Sequence, residues 1–253
     1  MLERLLKQTP VIVVSGPRQS GKSTLLQHEP VLTKERQYLT LDNLNVADQA
    51  RRQPLALVNA APWLALDEIQ RAPELFLPVK QAVDEDRRPG RFVLSGSANL
   101  LLLEKVADSL AGRSFYLTMH PLNRREKLGR LRQPPVIVRF FTEGAWPKTV
   151  VPPLDEAEVL RGGFPELGLN PALDASVWFE GYVKTYLERD VSSLRQIDDL
   201  AGFRRLTRLA ALWSGGVINL SGLARDSQFK SPKLYFADSG LAAHASGADG
   251  LLV

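Results

Sequence analysis

The chain has 253 residues, 44% hydrophobic, 24% charged and 8% aromatic, a composition that fits an ordinary soluble globular protein and excludes disorder, collagen and coiled coil. With no cysteine and three histidines, disulfides, thiolate catalysis and sulfur-built zinc sites are excluded and a His-rich metal site is not expected. Thirty-two Lys and Arg against 28 Asp and Glu leave a formal net charge of +4, too mild alone to mark a nucleic-acid binder.

A helix at Leu2, Leu5 and Leu6 leads to Val11-Ile12-Val13-Val14, a β-branched run of the kind buried on both faces of a parallel sheet, ended by Gly16. Lys22 to His28 reads as a helix, Gln37 to Leu41 as a strand, and Asn43 to Arg52 as a helix stopping before Pro54. Trp63 to Leu66 is a third strand running into Asp67-Glu68. Pro73 to Asp86 is a helix, and Phe92 to Leu94 a fourth strand ending in Ser95-Gly96-Ser97. Asn99 to Leu110 continues helically, and Ser114 to Met119 supplies a fifth strand. Alternating strands and helices predict an α/β unit with helices on both sheet faces.

From Leu131 to Leu154 the pattern loosens into a connector with Pro134, Pro135, Pro147, Pro152 and Pro153, which predicts a domain boundary. Helical spacing returns at Val177 to Leu194 and Phe203 to Trp213, followed by a strand-like Val217 to Leu220. Trp178, Tyr182, Tyr186 and Leu187 form a stripe expected in a core, with Arg189 and Asp190 closing the helix at the surface. Gly162-Gly163-Phe164-Pro165-Glu166 reads as a turn leading to an apolar anchor. No apolar run approaches the roughly 18 to 20 residues of a membrane span, and the amino terminus lacks a secretory stretch; no membrane contact and a cytoplasmic location are expected.

Gly16-Pro17-Arg18-Gln19-Ser20-Gly21-Lys22-Ser23 fits G-x-x-x-x-G-K-[ST], the Walker A pattern, between a buried strand and a helix. In such a P-loop, backbone N–H groups through Thr24 face phosphate oxygens, Lys22 reaches the β and γ phosphates, and the Ser23 hydroxyl ligates Mg²⁺. The strand ending in Asp67-Glu68, a Walker B pattern, places Asp67 to hold the metal's water shell and Glu68 to orient or deprotonate an attacking water. Ser97, or else Ser95, closes another strand at that edge and is a candidate to touch the water or the γ-phosphate, the alternative being a helix cap. Arg113 is a candidate cation for the γ-phosphate of its own or a neighbouring subunit, with Arg18 a second candidate.

GPRQSGKST, LALDEIQRAPELF, FVLSGSANLLLL, SLAGR, GGFPE and YVKTYLERDV, in that order, resemble the prokaryotic AAA-superfamily ATPases that carry a C-terminal domain of unknown function, over about Val11 to Ala243. The resemblance implies an AAA-like ATP-binding core with Lys22, Ser23, Asp67, Glu68 and Ser97 at the nucleotide motifs, and a recurring Gly-Arg at Arg113. Relatives place a helix-turn-helix and wing after a Leu-Ser-Gly-Leu-Ala segment; here Asp226 passes almost at once to Ser227-Gln228-Phe229-Lys230-Ser231-Pro232. The expected organisation is a P-loop ATPase domain at 1–130, a Pro-rich connector at 131–155, and a helical domain at 156–253 with a truncated winged-helix-like segment.

The function expected is hydrolysis of Mg-ATP coupled to rearrangement of the helical part, with a homo-oligomer left open. A P-loop kinase and a nucleotide-dependent regulatory protein with little turnover remain alternatives. Residues 1–150 carry 22 basic and 15 acidic side chains, the rest 10 and 13. Arg113, Arg124, Arg125, Lys127, Arg130, Arg132 and Arg139 face only Glu126, a cluster that suits either weak, non-specific DNA binding or a solvated surface.

Overall fold

Val11–Gly16 is buried at every position, and it is the strand around which the first half of the chain is built. The computed structural model describes residues 1–97, 109–144, 152–187, 200–212, 214 and 236–248. The chain separates into two compact units, Met1–His120 and Pro121–Val253.

The first unit holds a five-stranded sheet in the order β2-β3-β4-β1-β5, formed by β1 (Val11–Gly16), β2 (Gln37–Thr40), β3 (Leu64–Asp67), β4 (Phe92–Ser97) and β5 (Ser114–Thr118). Every pairing is parallel. Because side chains alternate along a strand, each strand feeds two cores. Val11, Val13, Leu64, Leu66, Phe92 and Leu94 point to one face, where they pack with Ala50, Leu57, Phe76, Val79 and Val83. That face is covered by α4 (Leu44–Arg52), α5 (Pro54–Val58) and α6 (Phe76–Glu85). Ile12, Val14, Ala65 and Val93 point the other way, against Leu5, Leu26 and Leu32. Those come from α1 (Leu2–Leu6), α2 (Lys22–His28) and α3 (Pro30–Thr33). Burial on both faces is why these strands read as unbroken apolar runs.

Local sequence sets the ends of the elements. Asn43 caps α4, its side chain accepting from the backbone N–H groups of Asn45 (2.9 Å) and Val46. Pro30 and Pro54, in the first turns of α3 and α5, start two short helices that periodicity does not reveal, because proline is preset for that position. The segment expected as one helix from Pro73 opens instead as a tight 3₁₀ turn, Pro73–Leu75, before α6.

The second unit is helical among its described residues. Phe164, Leu167, Phe179 and Tyr182 form its core with Trp178 and Leu241, and Trp178 stacks on Tyr182 with ring centroids 5.2 Å apart. The apolar stripe expected at Trp178 and Tyr182 is therefore packing surface. Its helix runs over Ala175–Tyr182 and passes into a π-helical turn at Val183–Leu187. Within the Pro-rich stretch a helix forms at Val136–Glu143, its N-cap being Pro135. The boundary between the units lies at His120, and within the second unit Arg124 and Lys127 bind Glu158 of the later helix Glu156–Arg161. The helix expected at 99–110, except its last turn, the end of the helix expected to reach Leu194 with Arg189 and Asp190, the strand at 217–220 and the segment after Asp226 lie outside the described residues.

Asp238 ties the second unit's distant segments together. It caps the helix Ser239–Ser246 through Leu241 N (2.9 Å), and its other oxygen accepts from Gly163 N at 2.6 Å. Burial pushes its carboxyl above the usual range. Gly162, at φ 66°, leaves the room this contact needs: a Cβ there would lie 2.2 Å from Asp238 Oδ1.

Candidate functional site

The parity of the pleat decides which polar residues meet. Counting by two from the α2-side core residues, Gly16 lies on the α2 side of β1, Tyr38 of β2, Asp67 of β3, and Ser95 and Ser97 of β4. All except Tyr38 stand at the carboxyl ends of parallel strands. There, beside β1, the connections change direction, which is where open α/β sheets form their crevice.

Gly16 leads into the loop with no room for a side chain, since a Cβ would lie 2.2 Å from the Met119 carbonyl oxygen. Gln19 (φ 59°) and Gly21 (φ 94°) are left-handed, an arrangement that turns successive backbone N–H groups inward. Ser20 between them is fully buried, and its hydroxyl makes no hydrogen bond. Lys22, 5% exposed, folds back over the loop and donates to the carbonyls of Gly16 (3.1 Å) and Pro17 (2.7 Å). Ser23 follows, half-buried, in the first turn of α2. Arg18 is half-buried and Gln19 and Thr24 are exposed.

Asp67 is 2% exposed and is held by three donors. The Tyr38 hydroxyl donates to Oδ2 at 2.7 Å, the Ser95 hydroxyl donates to Oδ1, and the backbone N–H of Glu68 donates to Oδ1 at 3.1 Å. Burial first, then the adjacent Asp67 carboxylate, pushes the Tyr38 phenol up to about 12, so it keeps its proton and donates. Glu68 adopts φ 58° and ψ 41°, a left-handed conformation uncommon for a residue with a side chain, and its carboxylate accepts from the Gln70 side-chain amide.

Ser97 pairs in register with Gly16 on the adjacent strand, whereas Ser95 is committed to Asp67. β1 and β3 flank β4, so the loop and Asp67 stand about 10 Å apart across the sheet edge. Tyr38 is absent from a motif-based reading of the sequence. Its strand position carries the needed parity, but only the strand order puts it next to Asp67.

Arg113 lies elsewhere. It precedes β5 at the amino-terminal edge of the sheet, where its carbonyl accepts from Val11 N, and β1 separates it from the loop by about 17 Å. Its guanidinium grips Asp84 through two hydrogen bonds of 2.6 and 2.9 Å, which holds that carboxyl below its usual range. Arg113 thus stands remote from the loop of its own subunit. The basic cluster is also partly engaged. Arg124 binds Glu158 and the carbonyls of Pro152 and Pro153, Lys127 binds Glu158 and the Gly162 carbonyl, and Arg125 donates to the carbonyls of Arg130 and Gln133.

Among the described residues no three His, Cys, Asp or Glu side chains converge as a metal cage, and no helix is long and apolar enough to cross a membrane.

A family model for an AAA domain matches residues 8–128, and one for a domain of unknown function matches residues 156–229. Uncharacterized proteins of Mycobacterium bovis and Mycobacterium tuberculosis are each 28% identical over 284 residues. The alignments cover 98% of this chain and 58% of each relative, so the chain spans little more than half the length of these relatives. A DNA polymerase III gamma subunit-related protein of Thermotoga maritima is a structural match at 10% identity, covering 98% of this chain and 69% of that one with a TM-score of 0.31.

Proposed function

We propose that this chain, whose residues 8–128 match a family model for an AAA domain, binds Mg-ATP in the Gly16–Thr24 loop and hydrolyses it. The observation that carries the proposal is the convergence, at one sheet edge, of a glycine-requiring loop, the buried Lys22 ammonium folded over it, and a buried carboxylate at the end of β3.

Each side chain has a distinct task. Loop N–H groups hold the phosphates, and Lys22, now against the Gly16 and Pro17 carbonyls, exchanges them for β and γ phosphate oxygens. Ser23 and Asp67 are the oxygen donors for magnesium, a hydroxyl and a carboxylate that suit a hard cation. Bound there, the ion neutralises charge on the phosphates. Glu68 takes a proton from the attacking water as the water's oxygen bonds to the γ-phosphorus and the bond to the β-phosphate oxygen breaks. Ser97, in register with Gly16, hydrogen-bonds that water or the γ-phosphate. Arg113, at the opposite edge, serves the site of a neighbouring copy in a homo-oligomer. Turnover is coupled to rearrangement of the helical second unit.

The test is a thin-layer assay of labelled ATP alongside equilibrium nucleotide binding. Lys22→Ala is expected to lose nucleotide affinity and keep its unfolding temperature. Glu68→Gln is expected to bind as before and to lose hydrolysis on the order of 10²-fold or more, the usual worth of a positioned base. Parent-like ATP binding by Lys22→Ala overturns the site, and full turnover by Glu68→Gln overturns the division of labour.

A further inference from the structure

A carboxylate offers about four acceptor positions. In Asp67, Oδ1 receives both the Ser95 hydroxyl and the Glu68 N–H, and Oδ2 receives the Tyr38 hydroxyl at 2.7 Å, so one position on Oδ2 remains open. The donors come from the strands on either side: Tyr38 from β2 and Ser95 from β4, with β3 between them. A buried carboxylate held from both flanks by hydroxyls loses rotational freedom.

We propose that Tyr38 is a positioning residue for the cation site: with Ser95 it fixes the Asp67 carboxylate so that its one open oxygen position faces the metal's water shell at the sheet edge. The inference rests on Asp67 serving magnesium, as in the function proposed above. Tyr38 is two residues short of the strand end, partly buried against the α2-side cluster that includes Leu26, Leu32 and Ile12, and acts only through Asp67. Its phenol ring fills the α2-side core, and its hydroxyl does the positioning. The two roles are separable by Tyr38→Phe, which keeps the ring.

The experiment titrates magnesium chloride against the full chain with a fluorescent ATP analogue, reading the magnesium midpoint of nucleotide affinity, the affinity in EDTA, and the unfolding temperature. Tyr38→Phe is expected to raise the magnesium midpoint on the order of tenfold, the worth of one hydrogen bond to a charged group, with EDTA affinity and unfolding temperature near the parent's. Ser95→Ala removes the other hydroxyl and gives the same shift, so the comparison survives if either variant folds poorly. In an Asp67→Asn background, Tyr38→Phe is expected to add nothing. An unchanged midpoint in Tyr38→Phe while Asp67→Asn raises it overturns the inference and leaves the Asp67 assignment standing. The same holds if the Tyr38→Phe effect persists without the Asp67 carboxylate. A magnesium midpoint unmoved by Asp67→Asn overturns the assignment itself, and the inference with it.

Discussion

Glu68 is the residue at which backbone and chemistry compete. Its left-handed conformation, φ 58° and ψ 41°, costs about 1–2 kcal/mol for an L-residue, and strain of this kind gathers where a side chain must be aimed. A β-branched residue tolerates that region worst, and Asn or Gly adopts it readily. Glu68→Val is therefore expected to lower stability by roughly 2 kcal/mol in urea unfolding, whereas Glu68→Gly leaves it near or above the parent's value. Both remove the proposed base, so both lose hydrolysis. Equal stability of the two variants contradicts strain at this position. Glu68→Gln, which keeps the strain and removes the basicity, separates the two effects.

At the scale of elements, what a strand contributes depends on parity as much as on composition. The apolar runs Val11–Val14, Leu64–Leu66 and Phe92–Leu94 announce buried parallel strands, and the loop motif fixes which edge carries phosphate chemistry. The strand order β2-β3-β4-β1-β5 is not written in any local pattern, so the partnership of Tyr38 with Asp67 and the distance of Arg113 from the loop stay hidden until the strands are paired. The helix Val136–Glu143 was masked by the prolines around it, although Pro135 stands just where a helix starts. Long-range caps are equally invisible. Asp238 receives Gly163 N from a segment 75 residues earlier, and sequence offers only a polar residue before a Ser-Gly helix start. Asp238→Ala strands that buried N–H and removes a helix cap, and is expected to cost about 2–3 kcal/mol in denaturant unfolding, with nucleotide affinity retained because the loop lies in the other unit. A loss below about 0.5 kcal/mol contradicts the role given to this contact.

Across the whole molecule, charge is unevenly spread. Residues 1–150 carry 22 basic against 15 acidic side chains and residues 151–253 carry 10 against 13, so phosphate attraction belongs to the earlier part of the chain. Within the basic cluster, Arg124 and Lys127 share Glu158, which offsets much of their field. The Arg125 guanidinium donates to the Arg130 carbonyl, and we propose that Arg125, Arg130 and Arg132 supply whatever affinity the protein has for duplex DNA. Three phosphate contacts release about three counterions, and with a slope near −0.9 per contact the affinity falls roughly fortyfold between 50 and 200 mM salt. Sequence preference is not expected, because phosphates position a duplex without reading it. Fluorescence anisotropy with a labelled duplex at low salt, comparing the parent with an Arg125→Ser, Arg130→Ser, Arg132→Ser variant, reads this directly: weak binding that disappears in the variant and in salt supports the assignment. Tight, sequence-selective binding that survives the three changes contradicts it and transfers recognition to the second unit, of which residues 156–229 match a family model for a domain of unknown function.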